Sequence, residues 1–173
     1  MRNEKRIIEA ATQVLAANPA ATMTDIADAA ELTRVTLYRY YENREALIAA
    51  IKAASEAEIA ALVARLPSRG PVLPELVALL DDSVALGTRY RYLLFYPREL
   101  EVTSTAVEAQ TAFAAFIARG QRRGEIDSTF DPHLVSHMFL GLVSSALVPV
   151  ALGQVTHIAA VEQVSRALSK LLS

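Results

Sequence analysis

The sequence holds 173 residues, of which 53% are hydrophobic and 21% charged, and its net charge is −2. This slightly acidic balance excludes a protein that coats nucleic acid non-specifically through bulk positive charge. Cysteine is absent, which excludes disulfides and thiolate metal sites in this chain. The charged start Met1–Arg6 is not followed by an apolar signal segment, so we expect a cytoplasmic protein.

The first part of the chain shows helical periodicity in short stretches. Apolar residues recur at helical spacing over residues 6–17, and Asn18-Pro19 ends that helix. Thr24 is predicted to cap a short second helix and Thr33 a third, which runs over residues 34–41. A long helix is predicted to follow from Arg44 to about Arg65.

The rest of the chain is also predicted to be helical. Proline and glycine in residues 67–74 indicate a linker. The helices predicted beyond it cover residues 74–88, 90–96, 100–122, 131–152 and 156–172. The apolar run Met138–Leu152 is shorter than the ~20 residues of a membrane span and is interpreted as a buried helix. The predicted fold class is all-α, with about nine helices.

Two short helices joined by a tight turn at residues 24–41 fit the helix-turn-helix plan. In that plan the second helix enters the major groove of DNA. With Leu37 turned inward, a rotation of about 100° per residue directs Val35 and Arg39 outward. This face is narrow enough to enter the groove.

The side chains around that face suit DNA chemistry. Arg39 can reach a guanine edge or a phosphate, Thr36 a thymine methyl or a phosphate, and Tyr38 a phosphate oxygen. Arg44 is placed to bind the DNA backbone from the start of the next helix. The alternative is a compact helical trio with core tyrosines and surface charges. Tyrosines crowded on an exposed short helix need a partner, however, which favours DNA.

The motif identifies a family. Residues 24–47 read TDIADAAELTRVTLYRYYENREAL and are preceded by RIIEAA at residues 6–11. This arrangement resembles the TetR family of repressors. The resemblance implies that Thr36, Tyr38, Tyr40 and Arg44 contact DNA, although helical winding alone places Tyr40 nearer the core face. The complete set of predicted DNA-binding residues is Arg34, Val35, Thr36, Tyr38, Arg39, Tyr40 and Arg44.

Two positions depart from the family pattern. Glu31 stands in the turn where the family often has glycine; if that position needs a positive φ, glutamate costs about 1 kcal/mol. Val35 also replaces a common glycine and adds apolar contact surface. Residues 1–45 contain six basic and seven acidic side chains, so we expect modest, strongly salt-dependent non-specific affinity.

The C-terminal part resembles the sensor domain of the same family in layout. The run Phe113–Ile126, followed by Asp131-Pro-His-Leu, looks like its long helix and the helix after it. The resemblance implies that the last two helices pair with their copies in a homodimer. Apolar residues at 134–147 also predict a helix buried on both sides, although burial within one chain would explain them as well. The predicted domains are residues 1–46 for DNA binding and 47–173 for ligand sensing and dimerisation.

Aromatic side chains concentrate in the sensor part, where an apolar pocket would be expected to bind a small molecule. The predicted lining residues, each of which could instead be plain core, are Tyr92, Phe95, Tyr96, Phe113, Phe116 and His137. His133 and His137 have a spacing that can hold a metal, but no third ligand is suitably placed, so no metal and no cofactor are predicted. No nucleophile–base pair or phosphate loop is visible, so no enzymatic activity is expected.

These features predict a ligand-responsive transcriptional regulator. We expect a dimer that represses by occupying operator DNA and leaves it when a small apolar effector binds; an activator would use the same binding chemistry. One alternative is a helical carrier of apolar molecules whose DNA binding is vestigial, supported by Glu31 and the weak basic balance. Another is a regulator that binds only a protein partner.

Overall fold

The computed structural model describes residues 2–95 and 103–172, and all regular elements in these two ranges are helical. The helices are α1 (Arg2–Ala17), α2 (Met23–Ala29), α3 (Arg34–Tyr40), α4 (Arg44–Ala64), α5 (Leu73–Arg89), a 3₁₀ segment (Arg91–Phe95), α6 (Ser104–Arg122), α7 (Pro132–Ala151) and α8 (His157–Leu172). The predicted all-α fold class is confirmed. The helix predicted at residues 90–96 is a 3₁₀ segment instead of an α-helix.

The chain forms two compact units. The N-terminal unit comprises Met1–Glu56 and Arg89–Glu99, and the C-terminal unit comprises Ala57–Thr88 and Leu100–Ser173. The predicted boundary between residues 46 and 47 lies inside α4, a single uninterrupted helix. The compact units therefore differ from the predicted domains, and the predicted division of functions stays a prediction.

In the N-terminal unit, α1 packs on α2 and α2 packs on α3. The apolar periodicity of each helix supplies one inward face. The fully buried large side chains of this core are Ile7, Leu15, Ile26, Leu37, Leu47 and Ile51. Burial of each such side chain contributes roughly 1.5–3 kcal/mol, which compensates for the short length of α2 and α3.

The start of α2 differs from the sequence prediction. Thr22, and not Thr24, is the N-cap: its hydroxyl accepts from the Asp25 N–H at 3.2 Å, and its own N–H donates to the Asp25 carboxylate at 2.7 Å. This reciprocal pair needs an acidic residue three positions after the cap, and Thr24 would have had Ala27 there. The bonds from Thr22 hold the pKa of Asp25 below its usual value.

In the C-terminal unit, α7 packs between α6 and α8. The core includes Leu76, Leu80, Ile117, Val135, Phe139 and Leu168. The linker is fixed by Arg119, whose guanidinium donates to the carbonyls of Pro67 at 2.9 Å and Gly70 at 3.1 Å. The Val72 N–H and the Arg123 guanidinium both donate to the Glu125 carboxylate, which lowers the pKa of Glu125.

Helix α7 is the most apolar element. Its 20 residues contain a window of mean hydropathy 1.8, so by length and composition alone it could cross a membrane. Core helices of proteins outside membranes often pass the same test. The Met138–Leu152 run is too short for a span, whereas α7, which contains this run up to Ala151, has 20 residues. Only 33% of the window is buried, and Leu134, Leu140 and Val148 are exposed. The predicted burial on both sides is therefore not met within one chain.

Candidate nucleic-acid interface

Helix α3 is short, but it is fixed at both ends. Thr33 is its N-cap, as predicted, and its hydroxyl accepts from the Thr36 N–H at 3.2 Å. At the other end Tyr41 is the C-cap, and its N–H donates to the Leu37 carbonyl at 3.0 Å. Leu37 and Tyr41 are both buried, so one side of the helix is anchored in the core of the N-terminal unit.

The turn between α2 and α3 contains a residue with a positive φ. Glu31 has a φ of 52°, in the left-handed region that favours glycine. The Leu32 N–H donates to the Ala27 carbonyl at 2.9 Å, and the Arg6 guanidinium donates to the Glu31 carbonyl at 3.0 Å. The tight turn is therefore formed with glutamate in the position where the family often has glycine.

The outward side of α3 carries apolar, aromatic and cationic groups. Val35 is 81% exposed, and Tyr38 and Tyr40 are 38% and 37% exposed. The Arg34 guanidinium lies over the Tyr38 ring at 5.3 Å, and that of Arg39 lies over the Tyr40 ring at 5.7 Å. These cation–π contacts keep both positive charges close to the exposed surface of the helix.

Six of the seven predicted DNA-binding residues lie on this one helix. Tyr40 is as exposed as Tyr38, so the placement nearer the core face that winding suggested is wrong. Thr36 is half-buried, and its hydroxyl lies 2.8 Å from the Thr33 hydroxyl. The contacts of these residues with DNA stay a prediction.

The seventh residue, Arg44, has internal partners. Its guanidinium donates to the carbonyls of Ala21 and Pro19, the latter at 2.7 Å, and lies 3.4 Å from the Tyr92 hydroxyl. Nearby, the Arg91 guanidinium donates to the Ala16 carbonyl at 2.7 Å. Both arginines thus tie distant parts of the N-terminal unit together. Sequence spacing gave no signal for these bonds, because their partners are backbone carbonyls far along the chain.

The predicted ligand-lining residues fall into both compact units. Tyr92 is buried in the N-terminal unit, whereas Phe113 and Phe116 are buried in the core of the C-terminal unit. Phe113 makes an edge-to-face contact with Phe139, their ring centres 5.0 Å apart. The side chain of Phe95 and the whole of Tyr96 lie outside the described residues.

The histidines of α7 are both exposed. His137 lies 2.6 Å from the Gln110 side-chain nitrogen, and His133 is in the first turn after the Asp131 N-cap. Within residues 2–95 and 103–172, no group of three or more histidine, aspartate or glutamate side chains is placed to hold a metal ion.

The N-terminal part of the chain matches a family model and a curated relative. The family model described as bacterial regulatory proteins, tetR family, matches residues 7–51. The HTH-type transcriptional repressor LfrR of Mycolicibacterium smegmatis is 33% identical over 97 residues, which are 56% of this chain and 51% of LfrR. The chain thus spans about half the length of that curated relative in the matched region.

Solved structures share the fold over nearly the whole chain. A protein described as a TetR-family transcriptional regulator from Rhodococcus sp. has a TM-score of 0.82 at 17% identity, covering 100% of both chains. LfrR from Mycobacterium smegmatis in complex with proflavine has a TM-score of 0.76 at 24% identity, covering 99% of this chain and 97% of LfrR. FadR from Bacillus subtilis in complex with stearoyl-CoA has a TM-score of 0.74 at 19% identity, covering 98% of this chain and 99% of FadR. Residues 7–51 are thus similar to the bacterial regulatory proteins of the tetR family, and the chain shares its fold with the solved structures named above.

Proposed function

We propose that this chain is a cytoplasmic transcriptional repressor that binds operator DNA as a homodimer and leaves it when a small apolar effector binds. The observation that carries the DNA-binding part is the outward face of α3. Arg34, Val35, Tyr38, Arg39 and Tyr40 are all exposed there, while Leu37 holds the opposite side in the core.

The proposed contacts follow from the chemistry of these side chains. Arg39 offers a planar group with several donors to a guanine edge or a phosphate. The hydroxyls of Tyr38 and Tyr40 suit phosphate oxygens, which position the helix without reading sequence. Arg44 would reach the DNA backbone only by exchanging some of its carbonyl partners, so its larger contribution is to hold the start of α4 in place.

The proposed dimer uses the uncovered face of α7. Leu134, Leu140 and Val148 are exposed along one side of that helix, and Ile158 of α8 is 78% exposed. A second copy of the chain would cover these apolar groups in a two-fold four-helix bundle. Two copies of α3 would then read half-sites separated by about 34–36 Å or a multiple of that distance.

The proposed effector is apolar or weakly polar. The C-terminal unit offers aromatic surface around Phe113, Phe116 and Phe139 and few charged side chains inside its core. The solved LfrR and FadR structures hold proflavine and stearoyl-CoA, both ligands with large apolar parts. An effector releases the operator only if it binds the DNA-free conformation more tightly than the DNA-bound one.

Selection of duplexes from a random pool, followed by fluorescence anisotropy on the enriched site, tests the DNA-binding part. Tyr38→Ala with Arg39→Ala should weaken binding more than tenfold, because each contact contributes roughly 1–3 kcal/mol. Arg69→Ala removes one exposed arginine from the linker and serves as the control, which should bind as the wild type does. If the double variant binds with unchanged affinity, α3 does not read DNA.

The effector part has its own test. Proflavine and a long-chain acyl-CoA, added separately to the preformed DNA complex, are the first probes, and release of the duplex by either supports an apolar effector. A chain that binds such molecules yet enriches no duplex would instead be the carrier. The formed turn at Glu31 speaks against that alternative, because glutamate has not disrupted the helix-turn-helix geometry.

A further inference from the structure

Val35 occupies an unusual position for an apolar side chain. At 81% exposure it is the most exposed large apolar side chain among residues 3–93 and 103–172. Single exposed apolar residues are ordinary on protein surfaces and need no explanation. Val35 differs because it lies in the first turn of the helix proposed to enter the groove, one helical turn from Tyr38 and Arg39.

The polar neighbours of Val35 are held beside it and leave it uncovered. The Arg34 guanidinium lies over the Tyr38 ring, and the Arg39 guanidinium lies over the Tyr40 ring. The Thr36 hydroxyl is 2.8 Å from that of Thr33, at the N-terminal end of the helix. The exposed side of this turn therefore presents a branched apolar side chain with no donor or acceptor.

Only one feature of the major groove matches such a group. Base edges there present hydrogen-bond donors and acceptors, together with the C5-methyl group of thymine. Valine against a guanine or cytosine edge would remove water from polar atoms and give nothing in return. Against thymine it buries a methyl group, and the flanking arginines remain available to phosphates and purine edges.

We infer that Val35 specifies thymine at one position of each operator half-site by packing on its C5-methyl group. This inference rests on the proposed DNA-binding function and names the base that one residue reads. It assigns the methyl contact to Val35 and not to Thr36, whose half-buried side chain contacts the hydroxyl of the N-cap Thr33.

The test uses the intact chain and the duplex enriched from a random pool. Each thymine is replaced in turn by deoxyuridine in both half-sites, which removes only the methyl group. Burial of one methyl corresponds to about a fourfold change in affinity, so the symmetric replacement should weaken wild-type binding about 15-fold at one position. In Val35→Ala the same replacement should change affinity less than about twofold, because the contact is already lost.

Thr36→Ser is the matched control, since it removes a methyl group one residue away and keeps the Thr36 hydroxyl that contacts the hydroxyl of the N-cap Thr33. The deoxyuridine penalty should persist in this variant. Three results would overturn the inference: no penalty at any thymine, a penalty that survives Val35→Ala, or a penalty that disappears in Thr36→Ser. If no duplex is enriched, the proposed function and this inference fail together; if one is enriched, these three results remove the inference alone.

Discussion

Helices α3 and α7 each have one buried and one uncovered side, but the side chains on the uncovered sides differ. Each has one side anchored in a core, through Leu37 in α3 and through Val135 and Phe139 in α7, and one side uncovered in the single chain. The uncovered side of α3 carries arginines, tyrosines and one valine over seven residues. That of α7 carries leucine, valine, glycine, serine and two histidines over 20 residues.

The difference indicates different partners. A short face with positive charges and aromatic hydroxyls suits the charged, hydrogen-bonding surface of duplex DNA. A long apolar face with few charges suits another apolar protein surface, because removing its exposed methyl groups from water lowers the free energy. Both helices thus expose apolar side chains. The side chains around these groups indicate whether DNA or protein is the suitable partner.

The largest expected effect comes from charging the α7 face. Val148 is 41% exposed, so Val148→Glu should leave the single chain folded. In a dimer the new carboxylate would be buried without a partner, at a cost of about 3–5 kcal/mol. We expect the dimer dissociation constant to rise at least about 100-fold. Analytical ultracentrifugation measures this, and operator binding should weaken in parallel.

Ala61→Glu is the control for that substitution. Ala61 is exposed on α4 and lies one turn before Arg65, so the same charge is added where it meets a cation. This variant should remain dimeric. If the Val148→Glu protein stays dimeric at low concentration, the interface lies elsewhere. The exposed side of α7 would then not be the surface that a second copy covers.

A second pair of substitutions compares how much the buried and the exposed side of α3 contribute to stability. Leu37 is fully buried, so Leu37→Ala should destabilise the protein by about 2–5 kcal/mol. Val35→Ala, two residues away on the exposed side, should change stability by less than about 0.5 kcal/mol. Urea unfolding followed by circular dichroism compares them. Equal losses would mean that Val35 is packed in solution and cannot be a reading residue.

Helix positions were largely predictable from the sequence. Apolar periodicity and the breaks at proline and glycine placed α4, α5, α7 and α8 to within one residue at each end, because both signals are local. The cap of α2 was missed, because two threonines compete and only the partner three residues later distinguishes them. The exposure of Tyr40, the last residue of α3, was missed because helical winding alone places it nearer the core face.

The candidate site was predictable only in part. The outward face of α3 follows from the motif, since a helix with one buried residue has a defined opposite side. The internal bonds of Arg44 and Arg91 were not predictable, because backbone carbonyls at Pro19, Ala21 and Ala16 leave no mark in the pattern of side chains. The proposed effector site would depend on packing among α-helices far apart in sequence, and no local pattern encodes it.

A smaller effect is expected at the turn that orients α3. Glu31 has a φ of 52°, which costs a residue with a Cβ roughly 1 kcal/mol. Glu31→Gly removes that strain, and part of the gain is lost to the greater freedom of glycine in the unfolded chain. We expect stability to rise by about 0.5 kcal/mol, measured by urea unfolding. Glu31→Gln keeps the Cβ and should give no gain; an equal gain would assign the effect to charge.

The smallest expected effect is on the pH dependence of stability, to which one carboxylate in each unit contributes. The pKa of Asp25 is lowered by its bonds from Thr22, and that of Glu125 by Val72 and then Arg123. Because the unfolded chain binds protons more readily, stability falls with acidification. Each contribution is fully present above the ordinary pKa, 3.8 for Asp25 and 4.5 for Glu125, and is lost as the pH falls through the lowered value.

Asp25→Asn and Glu125→Gln should therefore each make the acid loss of stability shallower in thermal unfolding followed from about pH 6 to about pH 2.5. Thr22→Ser keeps the hydroxyl and the backbone N–H that Asp25 bonds, so it should retain the wild-type pH dependence. If Asp25→Asn alone flattens the curve, the N-terminal unit limits stability in acid, because the capping box fixes the start of α2, which packs on α3. If Glu125→Gln alone does so, the C-terminal unit limits it, and α3 stays folded while the apolar unit that carries α7 opens first.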